Sequence, residues 1–179
     1  MTHSFSQLMF TPSVRAEQEA QGSRRAYERL DAPQADPRDT LGEAERAFIA
    51  ARDSFYMASV SETGWPYVQH RGGPPGFLKC LDDRALGFAD FRGNRQYVSV
   101  GNLKGNDRVS LILVDYPHQR RLKLIGHARQ AGDPETLAML QEGRLEDPAY
   151  AARVERGIVI APRIARKSGR RFFDKAMRP

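Results

Sequence analysis

Cysteine is nearly missing from this chain: Cys80 stands alone among 179 residues. An internal disulfide and a thiolate metal cluster are therefore excluded. The expected state of Cys80 is a small buried residue at a strand end. Long apolar runs are missing too, since no stretch approaches the roughly 18 residues that cross a bilayer as a helix. The first residues, MTHSFSQLMF, lack a basic region followed by a sustained apolar stretch. The expectation is a cytoplasmic protein with no membrane partner. Metal-ligand spacing is also wanting: His3, His70, His118 and His127 are scattered, and no HExxH occurs. There is no GxSxG nucleophile elbow, no Walker A sequence and no GxGxxG.

Charge is plentiful but unevenly spread. The net charge is +6, from 28 Lys and Arg against 22 Asp and Glu. Residues 163–179 carry Arg163, Arg166, Lys167, Arg170, Arg171, Lys175 and Arg178 against Asp174 alone, and the remainder is neutral. The high pI thus belongs to a basic C-terminal tail. Such a tail could touch nucleic acid or an anionic surface. It reads more simply as a solvated end, so no nucleic-acid partner is expected.

Periodicity orders the rest into one domain over 1–179, with N-terminal helices in 1–52, a barrel in 53–162 and the tail. Residues 13–30 predict an amphipathic helix with Ala16, Ala20, Ser23, Tyr27 and Leu30 on one face. A polar connection (31–40) leads to a second helix over 42–52. The pattern then changes to short strands: FYMASV (55–60), WPYVQHR (65–71), FLKCL (77–81), ALGFADF (85–91), RVSLILVDY (108–116), RLKLIGHARQ (121–130) and ERGIVIAP (155–162). The segment 92–106 predicts a helix after a Gly turn. Asp133 is placed to cap another, with Pro134 at its first position. About six short strands at this spacing suggest a small antiparallel barrel.

Three segments could carry chemistry. Gly93-Asn94-Arg95-Gln96 follows a strand and is expected to open a helix with Asn94 as N-cap. The free N–H groups of a helix start attract anions, and Arg95 adds a fork suited to phosphate. Pro66 to Gly73 contains Gln69, His70 and Arg71 before two glycines that let backbone approach a flat ligand. On the strand 121–130, alternation points Arg121 and Lys123 the same way, opposite Leu122 and Leu124. A shared anion or an electron-rich ring edge would relieve their repulsion.

In order, FYMASVSETGWPYVQHRGG, LGFADFRGNRQ, NDRVSLILVDYP and RRLKLIGHA resemble the pyridoxamine 5'-phosphate oxidase-like family of FMN-binding split barrels, with Asn106 to Leu111 similar to the family's strand entry NPRVSL. The resemblance implies a mainly β (α+β) fold, a six-stranded antiparallel Greek-key split barrel with flanking helices. It implies a homodimer with FMN between the subunits. Gln69 stands where the family often has an arginine near the phosphate, and His70, Arg71 and Gly72 follow beside the flavin ring. Ala89 and Asp90 stand where backbone approaches the cofactor. Asn94, Arg95 and Gln96 match a Ser-Arg-Lys triplet that grips the phosphate. Arg121 stands in place of a glutamine near the flavin, with Lys123 on the same face.

Gln69 and Gln96 replace basic residues, and the C-terminal tryptophan and arginine of the true oxidases have no counterpart here. The expected function is therefore an FMN-dependent oxidoreductase of a related subgroup, acting with an unspecified small-molecule substrate or electron donor. The alternative is a non-catalytic binder of flavin, haem or deazaflavin. The residues name no catalytic acid or base.

Overall fold

Strict alternation of apolar and polar side chains builds the centre of the protein. In the computed structural model, which describes residues 5–28, 40–141 and 153–168, Val109, Leu111 and Leu113 of β5 (Arg108–Asp115) face inward. So do Leu122, Leu124 and Ala128 of β6 (Arg120–Ala131). Five further strands join them: β1 (Ser54–Val60), β2 (Pro66–Gly72), β3 (Lys79–Cys80), β4 (Leu86–Phe91) and β7 (Val154–Ser168). All pairings are antiparallel, in the order β2-β1-β5-β6-β7-β4-β3. Sheet neighbours such as β1 and β5, or β7 and β4, are distant in the chain. The mainly β architecture expected from the sequence is present. There are seven strands rather than six, one of them the two-residue β3.

The chain divides into two compact units, residues 1–39 and 40–179. In the first, the single helix expected over 13–30 is broken. Helix α1 (Phe5–Met9) precedes α2 (Pro12–Ala20), which Thr11 starts and Gly22 ends. Gly22 has φ +68°, and Ser23 N–H reaches back to the Gln18 carbonyl at 2.8 Å, the hydrogen-bonded reversal that closes helices at glycine. A short α3 (Arg24–Tyr27) follows. Leu30 and the 31–39 connection lie outside the described residues, as does the tail beyond 168. Residues 163–168, assigned to the tail from sequence, are instead part of β7.

In the second unit, α4 (Glu43–Ala50) covers the barrel with Phe48 and Ile49 buried. Phe55 stacks on Phe77 and meets Phe88 edge-on within the core, with centroids 5.5 and 5.3 Å apart. Asp115 ties α4 to the β5–β6 turn. It is buried, accepts from His118 Nδ1 (2.8 Å) and Arg120 (3.0 Å), and pairs with Arg52 at 3.4 Å. Burial alone would raise its carboxyl. The hydrogen bonds from His118 and Arg120 and the nearby Arg52 outweigh that and hold it well below the ordinary range. Helix α6 (Pro134–Gln141) is capped by Asp133, whose Oδ1 accepts from Thr136 N–H at 2.8 Å. Its Leu140 packs where Gly87 of β4 and Gly157 of β7 leave room: a Cβ on either would lie 2.6–2.7 Å from a Leu140 methyl. Burial pushes the half-buried Cys80 thiol up, consistent with an inert packing residue.

Candidate functional site

Arg71 belongs to β2 and Asp90 to β4, strands near opposite ends of the sheet order, yet their side chains form an ion pair of 2.5 Å. The sheet therefore curls until its ends face each other, and a cleft opens there. Gln69, Arg71, Asp90, Asn94 and Arg95, all singled out from sequence, line it together with Tyr97, Ser99 and Glu155. The pleat explains the first pair. Gln69 and Arg71 sit opposite the buried Met57 and Phe55 of β1, so their side chains point to the inner face.

The turn above the cleft differs from expectation. Asn94 does not cap a helix: its Oδ1 accepts from Gln96 N–H at 3.1 Å, closing an Asx turn. Arg95 and Tyr97 then adopt left-handed backbone, φ +62° and +53°. Only after this double reversal does α5 (Val98–Gly105) begin, with Tyr97 as N-cap and no side chain capping it. The helix start expected at residue 94 thus lies at 98, and Arg95 stands on a strained turn rather than in the first helical turn. Positive φ at non-glycine residues is costly and concentrates at functional sites. Deeper in, Ser99 donates to Gln69 Oε1 (3.0 Å) and Asn102 to Ser59 (3.0 Å), fixing α5 to β2 and β1.

Two charged residues missed from sequence act at the cleft. Asp90 pairs with Arg156 of β7, whereas Phe91 pairs with Val154, so Glu155 is the extra residue of a β-bulge. A bulge re-aims side chains, and here consecutive residues serve one side. Glu155 lines the cleft while Arg156 reaches Asp90 Oδ2 at 3.2 Å and Glu155 at 2.9 Å. Arg156 also lies over the Tyr97 ring at 5.0 Å, and Tyr97 donates to Glu155 at 3.1 Å. A buried carboxylate in the otherwise apolar LGFADF was the available signal that two cations must converge there. Among the described cations lining the cleft, Arg95 is the one without a carboxylate partner, and Arg71 Nε is buried with no hydrogen-bond partner.

The other residues fall elsewhere. Gln96 is exposed and does not line the cleft. Ala89 is buried in β4, and Gly72 ends β2. His70 faces outward, edge-on to Tyr56 at 5.3 Å. Arg121 and Lys123 also occupy the outer face, opposite the buried Leu122 and Leu124, as alternation predicts. Cross-strand partners align His70, Tyr56, Ile112 and Lys123 in one outer row. Within one chain the sheet separates this row from the cleft. Nearby, Tyr56 pushes the pKa of Tyr116 up by charge repulsion and a hydrogen bond.

β2 is an edge strand, so part of its backbone is unpaired. Ser61 N–H bonds the Trp65 carbonyl and Gly73 N–H the Asp53 carbonyl. By alternation Gln69 and Arg71 bond to β1, while Val68 and His70 present N–H and C=O outward along the edge. Among the described residues no strand pairs with that edge, none of the helices is long and apolar enough to cross a membrane, and no cluster of His, Cys, Asp and Glu is placed to hold a metal ion.

A family model described as pyridoxamine 5'-phosphate oxidase matches residues 41–173, a span that contains the whole cleft. No curated protein matches the chain. Among solved structures, an FMN-binding protein from Syntrophomonas wolfei subsp. wolfei is 15% identical, with 88% of this chain and 96% of that chain covered, at a TM-score of 0.52. A protein from Clostridium acetobutylicum of the pyridoxinephosphate oxidase family, related to general stress protein 26 of B. subtilis, is 15% identical over 70% of this chain and 86% of that one, at 0.53. The HupZ protein of Group A Streptococcus is 11% identical over 71% and 93%, at 0.57. At these identities the likenesses concern the fold.

Proposed function

The chain belongs to the pyridoxamine 5'-phosphate oxidase family, and from that premise we propose that the cleft seats the phosphate of FMN in an FMN-dependent oxidoreductase. The observation that carries this reading is the convergence of Arg95, Arg71 and the uncapped start of α5 on one cleft. Unpaired N–H groups and guanidinium forks are the donors a phosphate monoester needs. The flavin ring would lie along the free edge of β2, where the backbone of His70 offers a donor and an acceptor to its pyrimidine edge. Bound there, the flavin supplies the hydride chemistry, while the protein supplies orientation and electrostatics.

Arg121 and Lys123 point away from the cleft of their own chain, so a homodimer is part of the proposal: they serve the flavin held by the other copy. The outer face supports such pairing, with Tyr56 38% and Val68 60% exposed and Trp65 75% exposed at the adjoining turn. A non-catalytic flavin carrier is the second reading. Its support is that Asp90 and Glu155, the carboxylates lining the cleft, are both engaged by Arg156 and neither is poised as an acid or base.

Purified protein should be yellow or should take up added FMN, with one flavin per chain and two chains per particle by light scattering. Protein that stays colourless after incubation with FMN sinks the reading. Reduction by a nicotinamide donor followed by reoxidation separates enzyme from carrier. Mass spectrometry of the extracted ligand separates FMN from haem or a deazaflavin.

A further inference from the structure

Asp90 is where the cleft departs from a simple anion seat. The strand Leu86–Phe91 is apolar except for this carboxylate, which is 5% exposed. One oxygen holds Arg71 and the other Arg156. Among the side chains lining the cleft, Arg71 and Arg95 face Asp90 and Glu155, so the lining is charge-neutral before any anion enters. The Asp90 carboxylate already holds one Nη of the Arg71 guanidinium that a phosphate would take. A dianion brought within reach of Arg71 also meets the negative charge of Asp90, and like charges so close disfavour each other.

We propose, resting on the flavin reading above, that Asp90 is the specificity-determining residue of the cleft. It screens Arg71 from small free phosphates, so that only a phosphate carried on a larger flavin body displaces it. The ring and ribityl chain bring contacts of their own, and that binding energy offsets the lost ion pair. Arg156 makes the exchange tolerable. It stays on Oδ2 when Arg71 leaves Oδ1, so Asp90 is not stranded as an uncompensated buried charge. The step is an exchange of ion-pair partners, with no covalent bond made or broken.

Asp90→Asn keeps the side-chain shape and removes the charge. Two measurements read it: thermal melts in inorganic phosphate against chloride at matched ionic strength, and fluorescence titrations with FMN and riboflavin. The wild-type protein should melt alike in both salts, whereas phosphate should raise the melting temperature of D90N. The preference for FMN over riboflavin should grow by about tenfold in D90N, equivalent to ~1.4 kcal/mol. Equal phosphate responses, or an unchanged preference, overturn the proposal. Should D90N fail to fold, a structure of the wild-type protein with FMN decides. Arg71 on the phosphate with Arg156 still on Asp90 upholds the exchange, and an intact Arg71–Asp90 pair overturns it. Failure of both proteins to take up FMN refutes the flavin reading instead, because the phosphate melts do not depend on flavin.

Discussion

Replacing Arg95 by glycine should uncouple binding from folding. Arg95 is exposed and sits at φ +62°. Left-handed backbone costs an L-residue roughly 1–2 kcal/mol, which glycine avoids. Glycine gives back roughly 0.5–1 kcal/mol through the freedom of its unfolded chain. The net effect on stability is thus from about zero to +1.5 kcal/mol, a rise in melting temperature of roughly 0–6 °C for a chain of this size. Binding should move the other way. Loss of a charge-assisted hydrogen bond to phosphate costs about 1.5–3 kcal/mol, or roughly 10- to 150-fold in Kd. Arg95→Ala is the control: it loses the same contact but keeps the backbone cost, so it should bind as weakly as the glycine variant and melt at or below the wild type. Flavin fluorescence quenching and thermal denaturation read both quantities. Riboflavin, lacking the phosphate, should bind all three proteins alike. A glycine variant that keeps wild-type FMN affinity, or that loses more than about 1 kcal/mol of stability, refutes the reasoning, since Arg95 would then serve the fold rather than an anion.

Asp115→Ala strips the shared partner from Arg52, Arg120 and His118. Urea denaturation should show a loss of about 2–3 kcal/mol, at or below the usual cost of breaking a buried pair because Arg120 and His118 are partly exposed. The same carboxyl predicts the acid limb. Its folded pKa lies below the unfolded value of 3.8, so the unfolded state binds more protons as pH falls and the stabilisation, complete above pH ~4, is lost through the folded pKa. Asp115→Asn should flatten the decline of stability below pH ~4, and an unchanged slope assigns the decline to other groups. A Cβ at Gly126 would lie 2.5 Å from the Ala161 carbonyl oxygen, backbone against backbone. Gly126→Ala should therefore cost about 2–3 kcal/mol, and Gly87→Ala, whose tightest contacts are the movable methyls of Leu140 and Leu81, about 1 kcal/mol. Chemical denaturation that reverses this order contradicts the packing.

What sequence reasoning reached depended on whether the signal was local. The inward faces of 109–113 and 122–128, the outward pairing of Arg121 with Lys123, and the Asp133 cap are written in spacing and short-range chemistry. They appear as expected. Residue chemistry singles out Arg71 and Arg95 in separate segments and the family resemblance adds Asp90; the curl of the sheet brings the three together. The misses needed information from a distance or from competing local chemistry. Helical periodicity over 13–30 gave way to the conformational freedom of Gly22. Asn94 fits a helix cap and an Asx turn equally well, and the Asx turn forms in a stretch whose Tyr97 also reaches Glu155. Arg156 carries no local signal, because which face it serves is decided by a bulge that exists only once β7 pairs with β4. His70 shares a strand with Gln69 and Arg71, but the pleat sends it to the other side.

That one supernumerary residue in β7 makes the cleft more sensitive to chain length than to chain identity. Deleting a single position between Val154 and Gly157 would regularise the ladder, and neighbouring side chains would again alternate between faces. Glu155 and Arg156 could then no longer stand side by side. Length variation is the change this stretch of backbone can least absorb, even where individual side chains could be exchanged.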